Sequence, residues 1–403
     1  MRFRLQSSSL QKSGPRLGGG QMKLLVQKFG GSSVATREAR ELVCKKIQMA
    51  QREGWSVVAV ISAMGRKGEP YATDTLLELF SEGKTLPCSR EQDAIYACGE
   101  MISGALVANE LQAEKVKCVF LNGEQAGIIT NARYSDADIL DIRRDAVLKW
   151  LKSGYVVLVA GGQGATEQGA FTSIGRGGGD TTACAIGYYL SAEEVRIYTD
   201  VDGIFTADPR IVKQSYPISD MDYEQCLRMA RCGAKVIHPK AVAYSQMGGR
   251  NVLSVRSTFT DEPGTRIGTY ESSSIGVTAL RSRGYFRCEI SEKSLWFPYL
   301  SQADISAEYG GFWHGIWNTE GGNAIKPPEG TEIRDVIFAI FPKGVELSGE
   351  VEGRWPLAEE IFKIDERCMA IIAKPDHYEE LINQIHDDLC IAGCRDRKVL
   401  CPM

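Results

Sequence analysis

From residue 23 onward, short apolar runs alternate with longer stretches whose apolar positions recur at helical spacing. "KLLVQKFGG" predicts a strand closing on glycines, and "ATREARELVCKKIQMAQREG" a helix running to a terminal glycine. "WSVVAVISAMG" reads as a buried strand, "ATDTLLELFSEG" as a short helix, residues 89–114 as a long helix and "KVKCVFLNG" as a third strand. Residues 138–154, "DILDIRRDAVLKWLKSG", predict a helix; "YVVLVAGGQG" follows as a strand, "DTTACAIGYYLSA" as a helix and "EVRIYTDVDGIF" as a strand entering a loop. Such alternation predicts an α/β fold with a mainly parallel sheet and helices on both faces. Ligands then belong beyond the carboxyl ends of the strands, where the glycine-rich turns lie.

The pattern loosens after residue 268. Residues 269–330 carry Ser-rich and Gly-rich pieces and three of the six tryptophans. Order returns with "RDVIFAIFP" (strand), "RWPLAEEIFKI" (helix), "RCMAIIAKP" (strand) and "DHYEELINQIHDDL" (helix), a smaller α+β unit. The expected division is a catalytic domain over 22–268 and a C-terminal region over 269–403. Residues 1–21 are polar and Gly/Ser-rich, so a disordered extension is expected there, with Met22 as the natural start.

Composition narrows the function classes. The 43% hydrophobic and 24% charged content is that of an ordinary globular chain. A net charge of -4 gives no electrostatic reason for nucleic-acid or membrane binding, so neither partner is expected. The 12 cysteines are scattered, without a Cys-x-x-Cys pair, and read as reduced cytosolic thiols.

Three strand ends place glycines beside charge: "QKFGGSSV", "VAGGQGA" and "SIGRGGGDTT". Glycine lets backbone N–H groups approach a polyphosphate, and a helix N-terminus adds favourable partial charge. None of the three is a Walker A sequence, and none fits a dinucleotide fingerprint in the expected place. Lys28 and Arg176 supply cations; Glu100, Asp180 and Asp200 supply acids for a substrate amine, for Mg2+ or for orienting a lysine. Phosphoryl transfer needs cations on the transferring group, a metal bridging oxygens and alignment of the attacking oxygen.

"VQKFGGSSV", "VISAMGRKGEPYATDTLLEL", "CGEMIS", "TSIGRGGGDTTA", "TDVDGIFTADPRIV" and "GAKVIHPKAV" together resemble the aspartokinases of the amino-acid kinase family, over residues 22–268. The resemblance implies an αβα sandwich that phosphorylates the β-carboxylate of L-aspartate with ATP and Mg2+, the metal arriving through ATP rather than on protein ligands. It also implies a cytoplasmic homodimer. By position, Lys28 resembles the lysine that neutralises the transferring phosphoryl group, and Gly30, Gly31 and Ser32 its phosphate-cradling turn. Ser62 and Thr73 fall at substrate contacts, Glu100 at the acid that holds the substrate amino group, and Arg176 at the arginine that pairs with a substrate carboxylate. Asp180 matches the acid that positions the catalytic lysine; Thr199, Asp200, Arg210 and Lys235 match the nucleotide site.

Two positions depart from the resemblance. Gly179 stands where a serine is expected and Gly162 where an aromatic is expected, both around the small substrate. Those losses predict a larger pocket, and hence, as an alternative to aspartate, a bulkier aspartate-like acid. A catalytically silent homologue that binds nucleotide or amino acid is the further alternative. In the tail, residues 368–389 resemble the last strand and helix of an ACT module, without the Pro-Gly ligand loop, and a single degenerate ACT-like unit is expected.

Other constellations have plainer readings. His386, Cys390, Cys394 and Cys401 have the residue types of a zinc site, but Cys390 on an amphipathic helix is expected to be a packing residue. Trp296, Trp313, Trp317 and Trp355 are expected to pack in a core or a dimer interface. Cys98 is expected to be a helix-packing thiol and His238 a structural residue.

Overall fold

The computed structural model describes residues 22–79, 89–234, 236–248, 252–272, 274–292, 303–317, 328–345 and 354–392. The chain divides into two compact units. The first runs to Asp200 and adds Ala243–Asp261; the second takes Val201–Val242 and the chain from Glu262 onward. Residues 201–242, expected with the catalytic domain, therefore share a unit with the tail.

In the first unit six strands form one parallel array in the order β11-β9-β1-β2-β6-β3. They are β1 (Leu24–Phe29), β2 (Ser56–Ile61), β3 (Cys118–Leu121), β6 (Val156–Ala160), β9 (Glu194–Thr199) and β11 (Val252–Ser257). β2 and β6 are apolar almost throughout because both sheet faces are covered, as parallel sheets require. Helix α2 (Arg37–Arg52), which follows the short turn α1 (Gly31–Val34), starts where Thr36 Oγ1 accepts a hydrogen bond from the Ala39 amide at 3.2 Å. It buries Ala39, and packs Val43, Cys44, Ile47 and Ala50 from one helical face into the core shared with Leu25, Phe29 and Leu158. Helices α3 (Thr73–Glu78), α4 (Ser89–Ala113), α5 (Asp145–Lys152) and α6 (Gly178–Tyr189) complete the helices used below.

A second, four-stranded sheet in this unit, β5-β4-β7-β8, was not legible in the hydrophobic pattern. It contains β4 (Ile128–Thr130), β5 (Ile139–Ile142), β7 (Gln163–Ala165) and β8 (Phe171–Ser173). Its presence corrects the helix expected over 138–154. Ile139 and Ile142 turn inward on β5 while Leu140 and Asp141 face out, and the helix begins only at Asp145.

In the second unit, β10 (Asp220–Asp222) pairs in parallel with β12 (Thr265–Gly268), and α7 (Tyr223–Arg231) follows β10. Helix α8 (Pro239–Gly248) comes next in the chain. The tail forms an antiparallel sheet, β14-β15-β13-β16-β18-β17. Its strands are β13 (Gly276–Glu289), β14 (Ile305–Tyr309), β15 (Phe312–Trp317), β16 (Glu332–Ile340), β17 (Ala358–Asp365) and β18 (Cys368–Ala373). Helix α9 (Tyr378–His386) packs Leu381 and Ile385 into a core with Val277, Ile337, Met369 and Trp355.

The helix expected over 354–364 is strand β17 instead. Its acids are ion-paired to arginines of other strands rather than forming a solvated helix face: Glu359 pairs with Arg334 of β16 at 2.9 Å and Glu360 with Arg287 of β13 at 2.7 Å. The loose stretch after 268 holds the 14-residue β13, whose register shifts between Leu280 and Arg283 around Ser282 at φ +52°. That bulge breaks the two-residue alternation which would have announced the strand.

Trp313, Trp317 and Trp355 are buried. His386 is buried with Nε2 2.9 Å from Thr206 Oγ1, and the buried Cys390 thiol donates to the Ile275 carbonyl. Cys394, Cys401, Trp296 and residues 1–21 lie outside the described residues. No helix among the described residues is long and apolar enough to cross a membrane.

Candidate active site

The site lies in the first unit, at the carboxyl ends of β1 and β2 and the amino end of α6. Lys28 is the penultimate residue of β1, in register with Val60 and Ile197 on the neighbouring strands. The turn that follows must pass close to the turn after β2. A Cβ on Gly31 would sit 2.7 Å from the Gly65 carbonyl oxygen and 2.9 Å from that of Ala63, so no side chain fits. The Gly65 amide donates to the Gly31 carbonyl at 3.1 Å, fixing the two turns together.

Residues 175–180 are the second component. Gly177 caps α6 in the left-handed region, φ +70°, and a Cβ on Gly178 would meet the Gly162 Cα at 2.7 Å. The two glycine turns therefore pack backbone to backbone at the end of β6, and a Cβ on Gly179 would lie 3.1 Å from Lys28 Cε, so the first turn of α6 also reaches the end of β1. There the Lys28 ammonium pairs with Asp180 Oδ1 at 2.7 Å. The amino end of α6 adds partial positive charge where an anion would meet that lysine.

The third component is one face of α4. Asp93, Tyr96 and Glu100 are spaced three and four apart, so they project from the same side of the helix. Asp93 is buried; its carboxylate accepts from the Ser135 amide at 3.0 Å and the Ser173 amide at 2.8 Å, tying two loops to α4. Glu100 is 2% exposed, and Oε2 has no hydrogen-bond partner. Burial pushes its carboxyl up to about 8, against amide hydrogen bonds from its own backbone and Ala63 that pull it down. A buried acid with no cationic partner among the described residues favours a cationic ligand, which would restore its ionised form.

These parts enclose a cavity of about 390 Å³. Of the residues expected at the site, Lys28, Gly31, Ser62, Thr73, Glu100, Gly179 and Asp180 line it together. Gly30 abuts it, with the Lys28 ammonium 3.4 Å from where its Cβ would be. Ser32 is half-buried in α1, outside the lining. Arg176 is exposed, outside the lining, and pairs with no acid among the described residues. Thr199 ends β9, and its hydroxyl donates to Asp200 Oδ1 at 3.1 Å. Asp200 in turn pairs with Arg66 at 2.6 Å. Arg210 belongs to the second unit, where it pairs with Asp208 at 2.7 Å, and Lys235 lies outside the described residues. Arg66, Lys67, Asp74 and Tyr96 also line the cavity and were not singled out from the sequence. "GRKGEP" carried the signal for the two cations; nothing local marked Tyr96.

The expected enlargement of the pocket is not found. A Cβ on Gly162 would lie 2.5 Å from the Tyr96 hydroxyl oxygen, so a neighbouring ring already fills the space an aromatic would take. A Cβ on Gly179 would lie 2.8 Å from Ser62 Oγ and 3.1 Å from Lys28 Cε, so a hydroxyl already stands beside that position. The bulkier acid thereby loses the observation that motivated it. Cys98 donates its thiol to the Ala94 carbonyl at 3.4 Å within α4.

Residues 23–253 match the model of the amino acid kinase family. The chain is 44% identical over 255 residues to aspartokinase 1 of Bacillus subtilis, covering 63% of each, and 43% identical over 246 residues to the aspartokinase of Mycolicibacterium smegmatis, covering 60% of this chain and 57% of that one. It thus spans less than two thirds of the length of these curated relatives in the matched region. Among solved structures, E. coli aspartokinase III in complex with aspartate and ADP superposes with a TM-score of 0.74 at 18% identity, over 90% of this chain and 99% of that one. The same enzyme with lysine and aspartate gives 0.68 at 19% identity, over 91% and 100%. At these identities the superpositions speak to the fold.

Proposed function

The chain belongs to the amino acid kinase family, and on that premise we propose that it is an aspartate kinase, transferring the γ-phosphoryl group of ATP to the β-carboxylate of L-aspartate. The observation that carries this reading is one cavity lined by both Lys28, paired with Asp180, and the buried Glu100, whose Oε2 has no hydrogen-bond partner. Aspartokinase relatives at 39–44% identity and a solved neighbour holding aspartate and ADP support it.

In this mechanism Glu100 receives the aspartate ammonium. Burial makes the empty site favour its protonated form, so amine binding and loss of that proton are coupled. Arg176 takes a substrate carboxylate, and Ser62 and Thr73 hold the acid in line. A β-carboxylate oxygen attacks the γ-phosphorus; the bond to the β,γ-bridging oxygen breaks, and ADP leaves with that electron pair. Charge spreads over the transferring oxygens, where Lys28 and the amino end of α6 stabilise it. Asp180 holds the Lys28 ammonium in place. Gly30, Gly31 and Ser32 cradle phosphate, with Thr199 and Asp200 on the nucleotide. Mg2+, entering on ATP, would neutralise polyphosphate charge.

We include in the proposal a cytoplasmic homodimer and an ACT-like origin for the β-rich tail, which the resemblance implies. Trapping the acyl phosphate as its hydroxamate, across a panel of acids with MgATP, tests the activity. Rapid hydroxamate formation with L-aspartate is expected, and none with any acid would overturn the reading.

A further inference from the structure

Tyr96 lines the cavity from α4, one helical turn before Glu100. Its hydroxyl points at Gly162: a Cβ there would be 2.5 Å from the phenolic oxygen and 3.3 Å from the ring carbons Cε1 and Cζ. The Gly162 backbone cannot withdraw, because its amide donates to Thr182 Oγ1 at 3.0 Å and its carbonyl accepts from the Ile174 amide at 2.9 Å. The Ser173 amide donates to Asp93 one turn earlier on α4. The ring is thus held by its own helix and by the Gly162 turn.

We propose that Tyr96 is the residue that sets which acid the cavity accepts, serving as the rigid wall that Gly162 does not supply. An acid whose ammonium meets Glu100 carries its nitrogen and the adjoining carbons past Tyr96, the neighbour of Glu100 on the same helix face. Hydrogen at those positions fits beside the ring; a methyl group there meets it. An aromatic held this way excludes without having to be ordered first, since few rotamers are lost on binding.

The inference rests on the aspartate kinase reading, and the experiment separates the two. Wild type, Tyr96→Phe, Tyr96→Leu and Tyr96→Ala are assayed by hydroxamate trapping with L-aspartate, N-methylaspartate and 3-methylaspartate, after circular dichroism confirms folding. Wild type and Tyr96→Phe are expected to prefer aspartate by about ten-fold or more in kcat/KM, the scale at which a pocket discriminates one methyl group. Tyr96→Ala, and Tyr96→Leu to a lesser degree, are expected to raise the KM for aspartate with little change in kcat, and to narrow the preference by about ten-fold. Unchanged preference in the folded Leu and Ala variants would overturn the role of Tyr96 while leaving aspartate phosphorylation in place. A wild type inert toward all three acids would overturn both.

Discussion

The Lys28 ammonium and Asp180 Oδ1 stand 2.7 Å apart, with side chains only 14% and 11% exposed, and so join the end of β1 to the first turn of α6. The pair lies at the cavity wall rather than in the apolar core, which defines what each substitution should do.

Lys28→Ala should remove turnover while leaving the fold intact. Loss of one cation from a transition-state clamp costs about 3 kcal/mol or more, a hundred-fold or larger drop in kcat. Asp180→Asn should keep ATP binding and lower kcat, because the lysine loses its orienting partner. Steady-state kinetics beside circular dichroism checks both, and a folded, fully active Lys28→Ala protein would remove this loop from the chemistry.

Glu100 gives a pH signature. Its folded-state carboxyl titrates near 8 rather than at the ordinary 4.5, so the folded protein holds a proton that the unfolded chain releases. Stability from this group is full below about 4.5 and falls as pH rises toward 8. Glu100→Gln should therefore gain thermal stability over wild type at about pH 9 and little at about pH 4, by an amount on the order of a few kcal/mol. In wild type, the KM for the acid should fall as pH rises to about 8, where Glu100 becomes ionised without help from the ligand. Melting curves and kinetics at several pH values read both effects, and a stabilisation independent of pH would contradict the assignment.

Arg176→Lys should raise the KM for the acid several-fold and leave that for ATP near wild type, since an ammonium cannot reproduce a bidentate guanidinium pair. Arg176 is exposed and outside the cavity lining, so the substitution should not disturb folding. A rise confined to the KM for ATP would move Arg176 to the nucleotide.

The double change Gly162→Phe with Gly179→Ser should reduce activity toward every acid rather than sharpen selectivity. A Phe at position 162 meets the Tyr96 hydroxyl and must adopt φ +68°, itself costing about 1–2 kcal/mol. Hydroxamate rates over an acid panel are the readout; improved kcat/KM for aspartate would show that Tyr96 does not fill this space.

The parallel array was legible because its strands are buried on both faces and read as continuous apolar runs, as in Ser56–Ile61 and Val156–Ala160. Lys28 and Asp180 were legible because each sits beside a glycine turn, and Glu100 through "CGEMIS"; Arg66, Lys67 and Asp74, also in the lining, were not singled out in this way. Tyr96 was not, because its role comes from meeting Gly162, 66 positions later in the sequence, and no local pattern marks such a meeting. β5 reads as helix because four residues of strand beside charged positions satisfy either period, and β17 because its eight residues, AEEIFKID, lack a clean two-residue alternation. Pairing with neighbouring strands decides the matter: β5 lies against β4, and β17 against β18.

Arg367, on the turn into β18, is 5% exposed. It reaches Asp222 at 2.8 Å and Glu224 at 3.0 Å, while its Nε donates to the Phe341 carbonyl at 3.1 Å. Asp222 also caps α7 by accepting from the Gln225 amide at 2.8 Å. A buried guanidinium from the tail thus anchors a helix start that lies within the span matched by the kinase family. For lineages that shuffle or trim their genes this is a constraint on modularity. A cut after residue 268 would sever a folding partner along with an appendage, so tail and kinase segment are bound to be inherited, and to drift, together.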